Sequence, residues 1–225
     1  MKGRYCALIP VVDAAQTIGE VVRQVKAQGL SVVVIDDGSR DETPAAASEQ
    51  GAIVISHLRH QGKGCALRTG FEYALRSRYE GVVTLDGDGQ HDPADIPQLI
   101  DAGERQHAGV VLGDRMANGP AMPAIQRWAN TLMSAIVSGV ARQRIPDSQC
   151  GFRFIRKEVL EDLPLRARRF EIETELVAAA ALRKWKIVSV PVRSISRPGQ
   201  ASRIRPLRDA ARFLGVVLRY LGRGR

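Results

Sequence analysis

Apolar residues in this chain fall in short unbroken blocks separated by stretches where they recur every third or fourth position. Tyr5–Ile9 is an apolar block that stops at Pro10, which predicts a strand. Ile18, Val21, Val22 and Val25 follow at helical spacing within Ile18–Gln28. Ser31–Ile35 is a Val/Ile run of the kind buried on both faces of a parallel sheet. Asp41-Glu42-Thr43-Pro44 opens a helix through Gln50, Ala52–Ser56 reads as a strand, Lys63–Arg76 as a helix and Gly81–Leu85 as a strand ending on Asp86. Asp92 is a fitting N-cap for a helix with Pro93 at its first position. Beyond it the pattern predicts a short strand at Val110–Leu112, an apolar helix at Ile125–Ala141, a helix at Ile172–Leu182 and a strand at Ile187–Val192. Repeated strand–helix–strand units imply an α/β fold, a mostly parallel central sheet flanked by helices. Polar motifs sit just after the strands, at the edge where open α/β sheets bind ligands.

Charge changes this picture at one end. The chain of 225 residues carries a formal +9, and residues 193–225 hold nine arginines against one acid, Asp209. Residues 1–192 are nearly neutral, with 24 basic and 23 acidic side chains. A domain over 1–204 followed by a basic tail over 205–225 is the expected division. In the tail, Leu207, Ala210, Ala211, Leu214, Val217, Leu218 and Leu221 share one helical face, with Arg208, Arg212 and Arg219 off it. Such a basic amphipathic helix suits an anionic membrane surface, or covers the domain's own core. Aromatic content of 5% and the absence of a known module argue against nucleic acid. Cys6, Cys65 and Cys150 are far apart and read as reduced, small apolar residues, neither zinc ligands nor a disulfide frame. No signal peptide and no apolar stretch of about 18 residues is expected, which suggests a cytoplasmic protein, or one peripheral to the cytoplasmic face of the membrane.

Three motifs carry chemistry. In Leu85-Asp86-Gly87-Asp88-Gly89-Gln90-His91, two carboxylates at a strand end can converge on one point, and glycines let an ion and phosphates approach the backbone. Hard oxygen ligands of this kind suit Mg²⁺ or Mn²⁺ on a diphosphate; the simpler reading is an acidic turn. Val34-Ile35-Asp36-Asp37-Gly38-Ser39-Arg40-Asp41 ends a buried strand on two aspartates, of which Asp41 reads as a capping residue. His60-Gln61-Gly62-Lys63-Gly64 is not a P-loop, yet glycines around a lysine at a helix N-terminus make an anion site. No GxGxxG follows the first strand, which argues against a dinucleotide oxidoreductase.

Together with Ile9-Pro10, Gly113-Asp114-Arg115, Asp147-Ser148-Gln149-Cys150-Gly151-Phe152-Arg153, Val190-Pro191-Val192 and Arg197-Pro198-Gly199-Gln200-Ala201-Ser202-Arg203, these motifs resemble the family 2 glycosyltransferases of GT-A fold. The resemblance extends from about Leu8 to Arg203 and leans to the dolichyl- and polyprenyl-phosphate hexosyltransferase branch. It implies an inverting transfer of a hexose from a UDP- or GDP-sugar, with Mg²⁺ or Mn²⁺, to an acceptor such as a polyprenyl phosphate, and it allows a homo-oligomer. On its terms Pro10, Val12 and Asp37 line the nucleoside pocket, and Asp86 meets nucleotide and metal. Asp88 and Gln90 are further metal ligands, and Gly87 and Lys63 border the diphosphate. Arg115, Arg197 and Arg203 face donor or acceptor phosphates. Asp147 and Asp88 are the catalytic candidates. Arg153 is either a phosphate contact or a surface ion pair.

Some positions depart from the family pattern. Val11-Val12-Asp13-Ala14 stands where an aromatic and an acid usually follow the first proline, His60 stands for asparagine, and Arg203 for lysine. A hydroxyl acceptor would need a base, Asp147 or else Glu173, whereas a lipid phosphate is already anionic and needs cationic clamps. Rival readings are transfer to a sugar hydroxyl, nucleotidyl transfer, and a degenerate membrane-associated binding module.

Overall fold

The computed structural model describes residues 3–117, 124–195 and 206–221. In chain order the elements are β1 (Tyr5–Val11), α1 (Ala15–Ala27), β2 (Ser31–Asp36), α2 (Thr43–Glu49), β3 (Ile53–Ser56), α3 (Lys63–Arg76) and β4 (Gly81–Thr84). A 3₁₀ turn at Pro93–Asp95 leads into α4 (Ile96–Arg105), then β5 (Val110–Asp114), α5 (Ala124–Ala141), β6 (Arg153–Arg156), α6 (Lys157–Asp162), α7 (Ile172–Leu182), β7 (Ile187–Pro191) and α8 (Pro206–Leu221). The predicted helices at 63–76 and 172–182 agree to the residue, and Asp92 does cap, its carboxylate accepting from Ala94 N at 2.9 Å. Asp41 satisfies backbone donors as expected, accepting from Thr43 N and from Ala15 N, each at 3.1 Å.

The seven strands are ordered β3-β2-β1-β4-β6-β5-β7. All pairings are parallel except those of β6 with β4 and β5. Side chains alternate across the sheet, so Cys6 and Leu8 join one core while Tyr5, Ala7 and Ile9 join the other. The first core is closed by α3, α5, α6, α7 and α8, the second by α1, α2 and α4.

Two elements, β6 and α6, were not expected from the pattern. Arg153-Phe154-Ile155-Arg156 is a four-residue strand with an arginine at each end, too short to show a period. Its reversed direction matters for the site. An antiparallel strand enters the sheet at the edge where its neighbours end, so Gly151–Arg153 joins the edge that carries Asp86 and Arg115.

The C-terminal helix occupies almost the predicted span, but its inward row differs from the expected one. Phe213, Val216, Val217 and Tyr220 are buried, whereas Leu214 and Leu218 point outward. The two aromatic residues carry more apolar area than the leucines they displace, and they turn the helix accordingly. The side chains of Leu207, Arg208, Ala210, Ala211 and Leu221 lie outside the described residues. Among the described residues no helix is long and apolar enough to cross a membrane, and all three cysteines are free thiols. Burial pushes those of Cys6 and Cys150 up to about 12.

Candidate active site

The carboxyl ends of β1, β2, β4 and β5 deliver Val12, Asp37, Asp86 and Arg115 to one edge of the sheet. At its centre, Asp86 Oδ1 lies 2.6 Å from Lys63 Nζ at the start of α3, and the same ammonium lies 2.6 Å from Glu173 Oε1 on α7. Burial alone would lower Lys63 and raise Asp86. The opposite charges outweigh it, so Lys63 stays cationic and Asp86 lies well below the usual carboxylate range. His91 Nε2 sits 3.5 Å from Asp86 Oδ2, its ring buried against Phe152. Gly151 closes the cluster: a Cβ there would stand 2.9 Å from Asp86 Oδ2 and 3.0 Å from both Glu173 Oε1 and Lys63 Nζ. Gly87 is required as well, since its Cβ would meet Val11 Cγ1 at 2.2 Å. Its carbonyl accepts from Thr17 Oγ1 at 2.7 Å, tying the acidic loop to α1.

Asp88 accepts from Gln90 N at 2.9 Å, and Gln90 O accepts in turn from Ile195 N at 2.8 Å. Burial, and then the charge of Asp86, raise Asp88 above the ordinary carboxylate range. Two carboxylates that repel each other inside a partly dry loop are a fit for a cation. Among the described residues no three or more His, Cys, Asp or Glu side chains are grouped to hold a metal ion. An ion on Asp86 and Asp88 would therefore complete its shell with other oxygens, as a diphosphate provides.

Asp37 is buried and fully engaged. Oδ1 accepts from Gln61 N at 2.9 Å and meets His57 Nδ1 at 2.8 Å, while Oδ2 accepts from Gly62 N at 2.7 Å and meets His60 Nδ1 at 2.8 Å. An ionised carboxylate only accepts, so both imidazoles donate through Nδ1. Asp37 thus braces the loop that presents Lys63. His60, with half its side chain exposed, is its one solvent-facing partner. Pro10 pairs in register with Ile35, and Val11 O accepts from Asp37 N at 2.8 Å, so Pro10, Val12 and Asp37 are neighbours at the rim.

Arg115 and Asp147 form a two-pronged pair, Nε to Oδ2 at 2.7 Å and Nη2 to Oδ1 at 3.0 Å. Asn130 Nδ2 from α5 donates to the same Oδ1 at 3.0 Å. Asp147 is 1% exposed; burial would raise its carboxyl, but Arg115 outweighs that and holds it below the ordinary range. Charge from Glu173 also reaches Arg115 and helps to keep it cationic. Arg153 is neither a phosphate contact nor a surface ion pair. It is buried, and its guanidinium donates at 2.7 Å to the carbonyls of Cys150, Glu173 and Ser148. Glu173 as the anchor of Lys63, and Asn130 as a partner of Asp147, carry no local motif that could have marked them. Arg197 and Arg203 lie outside the described residues.

Residues 6–164 match the family model for glycosyl transferase family 2. Glycosyltransferase AglJ of Haloferax volcanii is 32% identical over 208 residues, covering 91% of this chain and 67% of that protein. UDP-N-acetylglucosamine–dolichyl-phosphate N-acetylglucosaminyltransferase of Methanococcus voltae is 29% identical, covering 84% of each. Polyprenol monophosphomannose synthase of Mycolicibacterium smegmatis is 29% identical, covering 84% of this chain and 76% of that one. Among solved structures, glucosyl-3-phosphoglycerate synthase of Mycobacterium tuberculosis superposes with a TM-score of 0.72 over 98% of this chain and 81% of its own, at 22% identity, which speaks for the GT-A fold. The chain therefore belongs to glycosyltransferase family 2, and it is a glycosyltransferase whose relatives lie in the dolichyl- and polyprenyl-phosphate hexosyltransferase branch.

Proposed function

We propose that the protein moves a hexose from a UDP- or GDP-sugar to a polyprenyl phosphate, with inversion at the anomeric carbon, at the cytoplasmic face of a membrane. The observation that carries this reading is the joint placement of the Asp86–Asp88 pair, Lys63 and the Asp147-held Arg115 at one sheet edge. In the displacement, the bond from the anomeric carbon to the diphosphate breaks as a lipid-phosphate oxygen bonds to that carbon, and the electron pair leaves with the nucleoside diphosphate. Asp86 and Asp88, with Gln90 beside them, would hold Mg²⁺ or Mn²⁺, which would neutralise charge on the departing diphosphate. Pro10 and Val12 line the nucleoside pocket, Asp37 shapes it through the 57–62 loop, and Gly87 admits the phosphates. Arg115, Arg197 and Arg203 clamp phosphate oxygens.

The acceptor choice follows from Asp147. A hydroxyl acceptor requires a carboxylate able to take its proton, yet Asp147 is enclosed and bonded to Arg115 and Asn130. Its role is to position Arg115, and an acceptor that is already anionic needs no base. The names of the Methanococcus and Mycolicibacterium relatives, which specify dolichyl phosphate and polyprenol, agree with that choice. Crystals of the fold neighbour hold Mn²⁺ and UDP, which supports a metal and a nucleotide in this fold.

The test is transfer of label from a panel of UDP- and GDP-sugars into an organic-phase polyprenyl phosphate product, with Mn²⁺ or Mg²⁺ and with EDTA. One donor should give metal-dependent product, and Asp88→Asn should lower the rate by about 100-fold or more. If label stays in the aqueous phase with every donor, the reading fails. A water-soluble glycoside formed on an added sugar would instead favour the hydroxyl-acceptor reading.

A further inference from the structure

Helix α5 is apolar on both sides: Val137 is buried, and Met133, Ile136 and Val140 pack against the core. Beside them the inward side also carries polar groups that serve the 145–148 segment: Asn130 donates to Asp147, Ser134 Oγ accepts from Ser148 N at 2.9 Å, and Ser138 Oγ accepts from Ile145 N at 2.9 Å. Its outward side carries Ile125, Trp128 and Leu132, 78%, 68% and 49% exposed, and continues through exposed Ala135 and Gly139. Steps of three and four residues place these five in one row along the helix. A surface helix normally buries its apolar row and shows its polar one. Helix α8, which packs against both α5 and α7, adds a second outward row in Leu214 and Leu218, 51% and 67% exposed. Of the eight large apolar side chains exposed among the described residues, five lie on these two touching helices; Ile53, Leu58 and Ile195 lie on or near the edge strands β3 and β7.

We propose that α5 and α8 form a docking face for an anionic lipid bilayer, with Trp128, Leu132, Leu214 and Leu218 entering the interfacial region. Charge selects this occupant over a second copy of the chain. Residues 116–146 contain three arginines and no acid, and residues 193–225 contain nine arginines and one acid, of which Arg193 pairs with Asp95 and Arg219 with Glu175. Arg127 is exposed on α5, and Arg142 and Arg144 are exposed just past its end. Two copies meeting through these faces would bring arginine against arginine, whereas anionic headgroups complement them. A tryptophan among leucines suits the headgroup boundary, where the ring is apolar and its N–H stays hydrated. The face needs no spanning helix: apolar side chains buried to headgroup depth and electrostatic attraction act together. It also stands apart from the acceptor assignment, because partition into vesicles is read without turnover.

The full chain is sedimented with vesicles of phosphatidylcholine alone and with vesicles containing phosphatidylglycerol. Two double variants, Trp128→Ser/Leu132→Ser and Leu214→Ser/Leu218→Ser, are compared with it after their melting curves confirm folding. The wild-type chain should pellet with the anionic vesicles and shed them at high salt, and brominated lipid should quench Trp128. Each double variant should lose roughly tenfold or more in partition, since each removes two buried apolar side chains from the lipid. The proposal is overturned if the wild-type chain ignores anionic vesicles. It is equally overturned if both variants bind as wild type, which would leave the basic tail alone as the anchor. A salt-resistant dimer lost in the same variants, without vesicle binding, would assign the face to self-association.

Discussion

Three acidic residues that look alike as letters have different lives in the fold. Asp86 shares a cation with Glu173, Asp37 is consumed by a loop, and Asp147 is paired with Arg115. The last arrangement has a pH signature. Asp147 has a folded-state value below its unfolded one, so its stabilisation is fully present above the unfolded value, about 3.9, and fades as pH falls through the folded value. At pH 7 Asp147→Asn should cost about 3 kcal/mol by leaving Arg115 without its counter-charge. The gap from wild type should shrink as pH drops below about 4. Urea unfolding at pH 7, 5 and 3 reads it, and an equal gap at all three would remove the ion pair as the cause. In the transfer assay the same variant should lose acceptor binding, through Arg115, more than it changes the pH profile of turnover, because a positioning residue does not itself exchange a proton with substrate.

At the scale of elements, β6 shows how a short strand can matter more than a long one. It is four residues long, yet its reversed direction brings Gly151 against the Lys63 cluster and seats Arg153 beneath it. Arg153 satisfies three carbonyls from two segments, at 148 and 150 in one loop and at 173 on α7. Arg153→Met fills similar space but strands those acceptors, each at about 1–3 kcal/mol. The chain should then be destabilised by about 3 kcal/mol or more, measured by thermal or urea unfolding. A variant that melts as wild type would mean that water replaces the guanidinium. Little of this was legible beforehand. The motif Gly151-Phe152-Arg153 was visible, but a guanidinium bonding only to carbonyls looks in sequence like one bonding to phosphates.

At the scale of the whole molecule, the basic tail and the neutral domain are less separate than their charge suggests. Phe213, Val216, Val217 and Tyr220 of α8 join the core that α3 and α7 share. Arg219 and Tyr220 also reach Glu175 Oε1, whose Oε2 accepts from the backbone N–H groups of Arg166 and Ala167. The next carbonyl, that of Arg168, accepts from Cys65 N in the first turn of α3, two residues from Lys63. The C-terminal helix is therefore wired to the start of α3, which carries Lys63. Phe213→Ala should cost about 3–4 kcal/mol as a buried large-to-small change, in a single cooperative transition with the rest of the domain. Separate melting of the tail would contradict a shared core.

Features that depend only on neighbours along the chain could be read from the residues alone. The two-residue alternation of strands, the three-to-four-residue recurrence of helices, the turn-forming Asp-Gly steps and the segregation of charge are local, and from them came the α/β class, the ligand edge and the acidic loop at Asp86–Asp88. What only the tertiary structure decided is which partner each polar side chain has. Lys63 meets Glu173 across 110 residues, Arg115 meets Asp147 across 32, and Asp37 meets His57 across 20. The facing of α5 belongs to the same class: its composition predicted an apolar helix, but not that Asn130 and Ser134 would turn inward. A buried polar group must be matched by whatever lies beside it in space, and leaving one unmatched costs its desolvation.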